Sequence, residues 1–326
     1  MKENKNLLDL LSPLLSEWGI SPLTIKLVSQ SENTVFKVTS HDQQEYALRI
    51  HRPGYNSLTE LKSEQIWSQS LSEARIKIPA AYKTNAGDYY LQLEWNDSLC
   101  LVGLMQWINA TSLQSILEKR TEPSFLVEKV AAIGRICAQL HNQATTWQPP
   151  DDFDRHHLNV EGFLGEQPFW GRFWEAPLLS SEEQELFIMT REKLKRILLA
   201  HGEHKNTFSM IHADLHAGNF LVVDGDLLVI DFDDAGFGWH IYDLAVALSV
   251  YRERENFESI KHSMIKAYRQ VRDISNDELS LLPYFFLIRT LASIGWASDR
   301  PEVTSPESIQ SLIKFACHDI ESLGWH

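Results

Sequence analysis

The chain has 326 residues, too many for one average domain and enough for two lobes. Hydrophobic residues make up 44% and there are ten tryptophans, which excludes a disordered chain and fits a well-buried core. A formal charge of −14 disfavours non-specific binding to nucleic acid or to an anionic membrane. The three cysteines, Cys100, Cys137 and Cys317, have neither metal nor disulfide spacing, and such a count suits a reducing cytoplasm. The N-terminal run MKENKNLLDLLSPLL lacks the apolar core and cleavage site of a signal peptide. The most apolar stretch, 279–297, is interrupted by Pro283 and Arg289 and reads as a buried helix.

In chain order, Leu7 to Trp18 has helical spacing and stops before Gly19. Ile25–Val28 and Val35–Val38 alternate as strands do, with the polar, glycine-free loop Ser29–Thr34 between them. Tyr46–Ile50 is a third strand, broken by His51-Arg52-Pro53-Gly54, and Leu58–Leu71 is helical. Tyr89–Glu94 and Leu101–Trp107 complete a β-rich first lobe, residues 1–105. From 106 to 326 the chain is mainly helical. Phe125–His141 is strongly amphipathic. Residues 144–178 are rich in Pro, Asp and Trp, and their aromatic rings suit a satellite core better than a stacked substrate. Glu182–Leu199 is a further helix. The predicted architecture is α+β and bilobal.

The densest chemistry lies between Met210 and Val250. His212, Asp214 and Asn219 form H-x-D-x-x-x-x-N. Phe220–Val223, an Asp224-Gly225-Asp226 turn and Leu227–Ile230 then predict a hairpin that delivers Asp231 at its end. Phosphoryl transfer asks little covalent chemistry of a protein; it needs an aligned hydroxyl and a divalent metal to neutralise the phosphates. Asp214 is suited to accept a hydrogen bond from an attacking hydroxyl. Asn219 and Asp231 offer the hard oxygen ligands that magnesium prefers. His212 is read as holding the loop's shape. His216 is either a solvated loop residue or a phosphate contact. Asp243 opens a helix and is placed to cap it.

The run from H-x-D-x-x-x-x-N through I-D-F-D-D resembles the catalytic loop and metal site of the aminoglycoside phosphotransferase and choline kinase family, which has a protein-kinase-like fold. There the pattern reads roughly H-G-D-x-x-x-x-N, then I-D-[FW]-[DE]. The wording A-L-R-I-H-R-P-G-Y and H-A-G-N is similar to that of stress response kinases and type II homoserine kinase-like proteins. The resemblance implies ATP and Mg2+ as cofactors, Asp214 as the catalytic residue, and Asn219 and Asp231 as metal ligands. It implies that loop 29–34 covers the nucleotide phosphates through Ser31 and Asn33. Arg49 stands where the family's strand carries lysine in V-A-I-K, and its carboxylate partner is Glu64, with Glu60 as competitor. Gln106, Trp107 and Ile108 take the place of the linker that binds adenine, and Asp243 that of an aspartate bracing the catalytic loop. His141 takes a structural place, and His262, Tyr268, Arg289 and Trp296 are positioned to face an acceptor.

About a dozen residues separate Asp231 from Asp243, too few for the long activation segment of regulated protein kinases. That favours a small-molecule hydroxyl acceptor such as an amino alcohol, amino acid or antibiotic. A serine/threonine protein kinase of the stress-response type, and a kinase-fold protein that binds nucleotide without transferring it, are the competing readings. The glycine-free loop and Arg49 motivate the last of these.

Overall fold

A computed structural model describes residues 2–30, 33–120 and 122–325. Its contacts divide the chain into two compact units. One comprises Met1–Thr111, Pro149–Asp154 and Leu221–Asp233; the other comprises Ser112–Gln148, Arg155–Phe220 and Asp234–His326.

The first unit begins with helix α1 (Lys2–Ser16) and strands β1 (Pro22–Gln30), β2 (Thr34–Ser40) and β3 (Glu45–Ile50). Helix α2 (Leu58–Glu73) follows, then β4 (Ala81–Tyr82), β5 (Tyr90–Trp95) and β6 (Ser98–Gln106). The strands pair in the order β1-β2-β3-β6-β4, with β5 also on β6. Alternation sets which face is buried: Phe36, Val38, Leu48, Ile50, Val102 and Leu104 turn inward against Leu11, Leu15 and Ile25. Helix α2 starts at a capping box, in which Ser57 Oγ accepts from the Glu60 amide and Glu60 accepts from the Ser57 amide.

The chain continues through β7 (Thr111–Ser112), α3 (Leu113–Lys119), α4 (Pro123–Thr146), β8 (His157–Leu158), α5 (Val160–Leu164), α6 (Ser181–His201) and β9 (Phe208–Ile211). The predicted hairpin is present as β10 (Phe220–Val223) and β11 (Asp226–Val229). Asp224 (φ 52°) and Gly225 (φ 89°) both lie in the left-handed region, as a tight two-residue turn requires. Then come β12 (Gly236–Trp239), α7 (His240–Ser249), α8 (Phe257–Arg269), α9 (Asn276–Leu279), α10 (Leu282–Ser298) and α11 (Pro306–Ser322).

The boundary predicted after residue 105 falls after Thr111, and the hairpin departs from the predicted division altogether. Residues 221–233 pack with the first unit because β11 is tied to the segment after α2. Val229 N–H donates to Lys77 O at 2.9 Å, Lys77 pairs with Asp226 at 2.6 Å, and Phe232 packs edge-on against buried Trp67.

In the second unit a small sheet runs β8-β12-β9, with β12 parallel to β8 and antiparallel to β9. Helix α4 packs on α8, so closely that a Cβ on Gly134 would lie 2.5 Å from the Met264 carbonyl oxygen. The aromatic stretch forms a satellite core: Phe163, Trp170 and Phe173 are buried against Tyr242 and Phe187. Among the described residues no helix is long and apolar enough to cross a membrane.

Candidate functional site

The residues singled out in the sequence fall on both units. On the first unit, Arg49 projects from β3, two residues before the conformational break, and its guanidinium meets the end of the hairpin. Its Nη2 donates to Asp231 Oδ1 at 2.5 Å and to Asp233 Oδ2 at 2.8 Å. Glu64, 3% exposed on α2, adds a third negative charge acting on Arg49. Burial alone would lower the guanidinium's proton affinity, but Asp233, Asp231 and Glu64 outweigh it and raise it. Between the two glutamates weighed for Arg49, Glu60 caps α2 and Glu64 is the one that acts on the arginine.

Asp231 sits at φ 69°, a backbone conformation that aspartate tolerates better than most residues but that still costs energy. Its side chain is 43% exposed, and only Oδ1 is engaged by Arg49. Asp233 is buried and also accepts from Asn33 Nδ2. Asn33 Oδ1 in turn accepts from the Arg52 amide at 3.1 Å. The Asn33 carboxamide is therefore engaged within the unit, bracing Asp233 and the start of the 51–54 break. Ser31 lies outside the described residues. Gln106 is exposed at the end of β6, its amide donating to Ala80 O at 2.7 Å. Trp107 is half-buried with the Lys37 ammonium 4.9 Å from its ring centre, and Ile108 is half-buried beside it in sequence.

On the second unit, Asp214 lies in the loop between β9 and a 3₁₀ turn at Ala217–Asn219. Arg289 Nη2, from α10, donates to its Oδ1 at 2.7 Å. Asn219 Nδ2 donates to its Oδ2 and its carbonyl oxygen, both at 2.9 Å. His216 caps the 3₁₀ turn, its Nδ1 accepting from the Gly218 amide at 3.0 Å. That fixes the tautomer: Nε2 carries the proton and faces Asp214 Oδ2 at 3.2 Å. Burial pushes the proton affinity of Asp214 up, but Arg289 and then His216 outweigh it and hold the carboxyl well below the usual range.

Beneath this loop, Asp243 accepts from the amides of His212 (3.1 Å) and Ala213 (2.7 Å). The helix-cap role expected for Asp243 is not what the structure shows. Helix α7 starts three residues earlier at His240, and the Asp243 carboxylate turns to the loop that bears Asp214, the bracing place that the resemblance implied. His212 Nδ1 accepts from the Asp214 amide at 3.3 Å, so His212 shapes the loop as expected. Ala213, at φ 66°, stands where the resembling pattern has glycine. His141 Nε2 lies 3.2 Å from Asp243, and its Nδ1 lies 2.9 Å from Tyr268 Oη. Burial, then Arg272, holds His141 well below its ordinary pKa, so it is a neutral hydrogen-bond donor to Asp243, not an ion-pair partner. Burial pushes Asp243 up to about 6, against the downward pull of His212 and the two amides. Tyr268 is thus part of the buried brace and does not face an acceptor. Cys137 approaches the same pair, and burial, then Asp243, raises its thiol well above the usual range.

The donor chemistry fits a hard divalent cation. Asn219 spends only its Nδ2 on Asp214, and among the described residues no donor is matched to its Oδ1. Asp231 retains Oδ2 in the same way. Two residues escaped the sequence reading. Asp233 was signalled by the second acid of I-D-F-D-D, which alternation puts on the same side of the chain as Asp231. Arg289 was named only as facing an acceptor; no local pattern links it to Asp214, 75 residues earlier.

A sequence model of the phosphotransferase enzyme family matches residues 24–275. Stress response kinase A of Salmonella paratyphi A is 23% identical over 278 residues, spanning 85% of this chain and 76% of that protein. An uncharacterized protein of Deinococcus radiodurans is 24% identical over 309 residues, spanning 92% and 84%. Among solved structures, a microcompartment-associated aminopropanol kinase superposes with a TM-score of 0.81 at 26% identity, covering 95% of this chain and 94% of that one. An amicoumacin kinase in complex with AMP-PNP and Ca2+ superposes with a TM-score of 0.79 at 20% identity, covering 96% and 92%. The fold is accordingly protein-kinase-like, as the sequence led one to expect. With the matched segment spanning both units, the chain belongs to the phosphotransferase enzyme family and is a kinase whose acceptor is a hydroxyl group.

Proposed function

We propose that the protein moves the γ-phosphoryl group of ATP to the hydroxyl of a small molecule, with amino alcohols as the first acceptor class. The observation that carries this is the state of Asp214. Three donors, Arg289 on Oδ1 and Asn219 and His216 on Oδ2, keep it ionised and oriented and leave one lone-pair direction of Oδ1 for a hydroxyl. Such a carboxylate is a weak base but a well-oriented acceptor. It aligns a hydroxyl for in-line attack and takes the proton late, which is what a loose, metaphosphate-like transition state asks for. Arg49 is the cation for the nucleotide phosphates, Glu64 its partner, and Gln106, Trp107 and Ile108 the adenine-side linker. Asn219 and Asp231 would hold Mg2+, which when bound neutralises charge on the phosphates.

A small acceptor is favoured by the segment after Asp231. It enters β12 within a few residues, hydrogen-bonded to β9 and β8. The likeness to an aminopropanol kinase puts amino alcohols first. The second reading, a protein kinase of the stress-response type, is favoured by the relatives of that name. The deciding experiment is magnesium-dependent ATP turnover over a panel of amino alcohols, hydroxy amino acids, aminoglycosides and a generic protein substrate, with Asp214→Ala and Asp231→Ala in parallel. Transfer to an amino alcohol, lost in both variants, is the expected result. Labelling of protein with no transfer to any small molecule would replace it with the second reading.

A further inference from the structure

Arg49 is the point at which this chain departs from the lysine of the resembling pattern, and its geometry has a consequence for metal binding. One terminal nitrogen, Nη2, lies 2.5 Å from Asp231 Oδ1 and 2.8 Å from Asp233 Oδ2. A cation between two carboxylates two residues apart occupies the place a divalent ion shared by them would take. Asp233 is in turn held by Asn33 Nδ2 and faces His51 Nδ1 at 3.7 Å, so its position is set by the protein and not by the arginine alone. Meanwhile Arg49 Nε is buried and has no hydrogen-bond acceptor. A buried donor left unmatched is costly, and a polyphosphate oxygen is the acceptor chemistry that a guanidinium fork suits.

We propose that Arg49 serves as a resident cation on Asp231 and Asp233, so that a divalent metal gains full access to Asp231 only together with a polyphosphate that draws the guanidinium away. The inference rests on the nucleotide reading above and adds a binding rule to it: metal and nucleotide enter together, and free metal alone is turned away. Arginine suits this role better than lysine. Its planar head carries several donors and can hold carboxylates with one edge while another edge remains for phosphate. A lysine at the same Cα is shorter by about one bond and presents a single nitrogen.

The test is Mn2+ binding to the purified full-length chain, followed by electron paramagnetic resonance, first without nucleotide and then with AMP-PNP. Without nucleotide, Arg49→Gln should bind Mn2+ about tenfold or more tightly than wild type, the effect of releasing one charge-assisted contact. Arg49→Lys, which keeps the charge and guards against misfolding of the glutamine variant, should show a smaller gain in the same direction. The gain should vanish in Arg49→Gln combined with Asp231→Asn. Equal Mn2+ affinity in wild type and both single variants would overturn the proposal, as would a gain that survives the Asp231 substitution. Either result leaves the nucleotide reading intact if wild type still takes up Mn2+ with AMP-PNP. Failure of wild type to bind that complex would instead overturn the nucleotide reading itself.

Discussion

Replacing Asp243 by alanine removes the acceptor shared by three buried donors: the amides of His212 and Ala213 and the neutral His141 Nε2. Each orphaned donor costs about 1–3 kcal/mol. Against this, the substitution relieves the burial of an anion. The carboxyl is raised from 3.8 to about 6, which corresponds to about 3 kcal/mol. The net loss is then about 3 kcal/mol, with the loop that bears Asp214 released as well. Asp243→Asn gives the same relief and keeps one acceptor oxygen, so it should cost only about 1–2 kcal/mol. The pH dependence has a definite sign. Because folding raises this carboxyl's pKa, the folded state binds the proton more tightly than the unfolded chain. The burial penalty is therefore fully present above about 6 and fades as pH falls through 6 toward 3.8. Wild type should gain about 1.4 kcal/mol on Asp243→Asn between about pH 7.5 and about pH 5. Urea unfolding read by tryptophan fluorescence at both pH values, with amide exchange of residues 209–216, measures all of this. A gap between wild type and Asp243→Asn that stays constant or narrows at the lower pH would refute the reasoning. So would an Asp243→Ala loss under about 1 kcal/mol.

Other variants probe different links in the same chain of argument. Arg289→Met should lower kcat about 10–100-fold, because the carboxylate of Asp214 loses its orienting partner. With that partner gone, the proton affinity of Asp214 rises, so an acid limb absent from wild type should enter the pH profile of kcat/KM, and Arg289→Lys should suppress it. Ala213→Gly relieves a side chain held at φ 66° and should stabilise the protein by up to about 1 kcal/mol, visible as a higher Tm, whereas Ala213→Val should do the reverse. Gly134→Ala drives a Cβ to 2.5 Å from the Met264 carbonyl and should cost about 2 kcal/mol or more in denaturant unfolding.

What could be read from the sequence was local. Apolar alternation and helical spacing located the strands of the first unit and α2, α4 and α6, because each pattern reports the burial of one face. The Asp-Gly turn fixed the hairpin, since few residue pairs accept positive φ at both central positions. Asp214 and Asn219 were legible because a five-residue loop brings them together: one carboxamide spans the turn to the carboxylate. What escaped was long-range. The hairpin's membership of the first unit depends on Lys77, some 150 residues upstream of its partner Asp226. For Asp243 the local pattern suggested a helix cap, which fails because α7 begins a turn earlier, whereas the resemblance gave its place under the loop correctly. The aromatic run 169–174 carries no periodicity, so its reading as packing stood without its partners, Tyr242 and Phe187.

The small sheet of the second unit joins segments that lie far apart in the chain. Strand β12 pairs with Leu158 on one side and with Met210 on the other, segments separated from it by about eighty and about thirty residues. Asp243, which holds the His212 and Ala213 amides, lies just beyond β12. Loop closure over such distances is slow compared with helix formation, and it cannot start on a ribosome until the last segment has emerged. The loop bearing Asp214 should therefore be fixed late in folding, which pulse-labelled amide exchange of residues 209–216 checks. A chain cut before residue 239 lacks Asp243 and the end of β12 and should be catalytically silent.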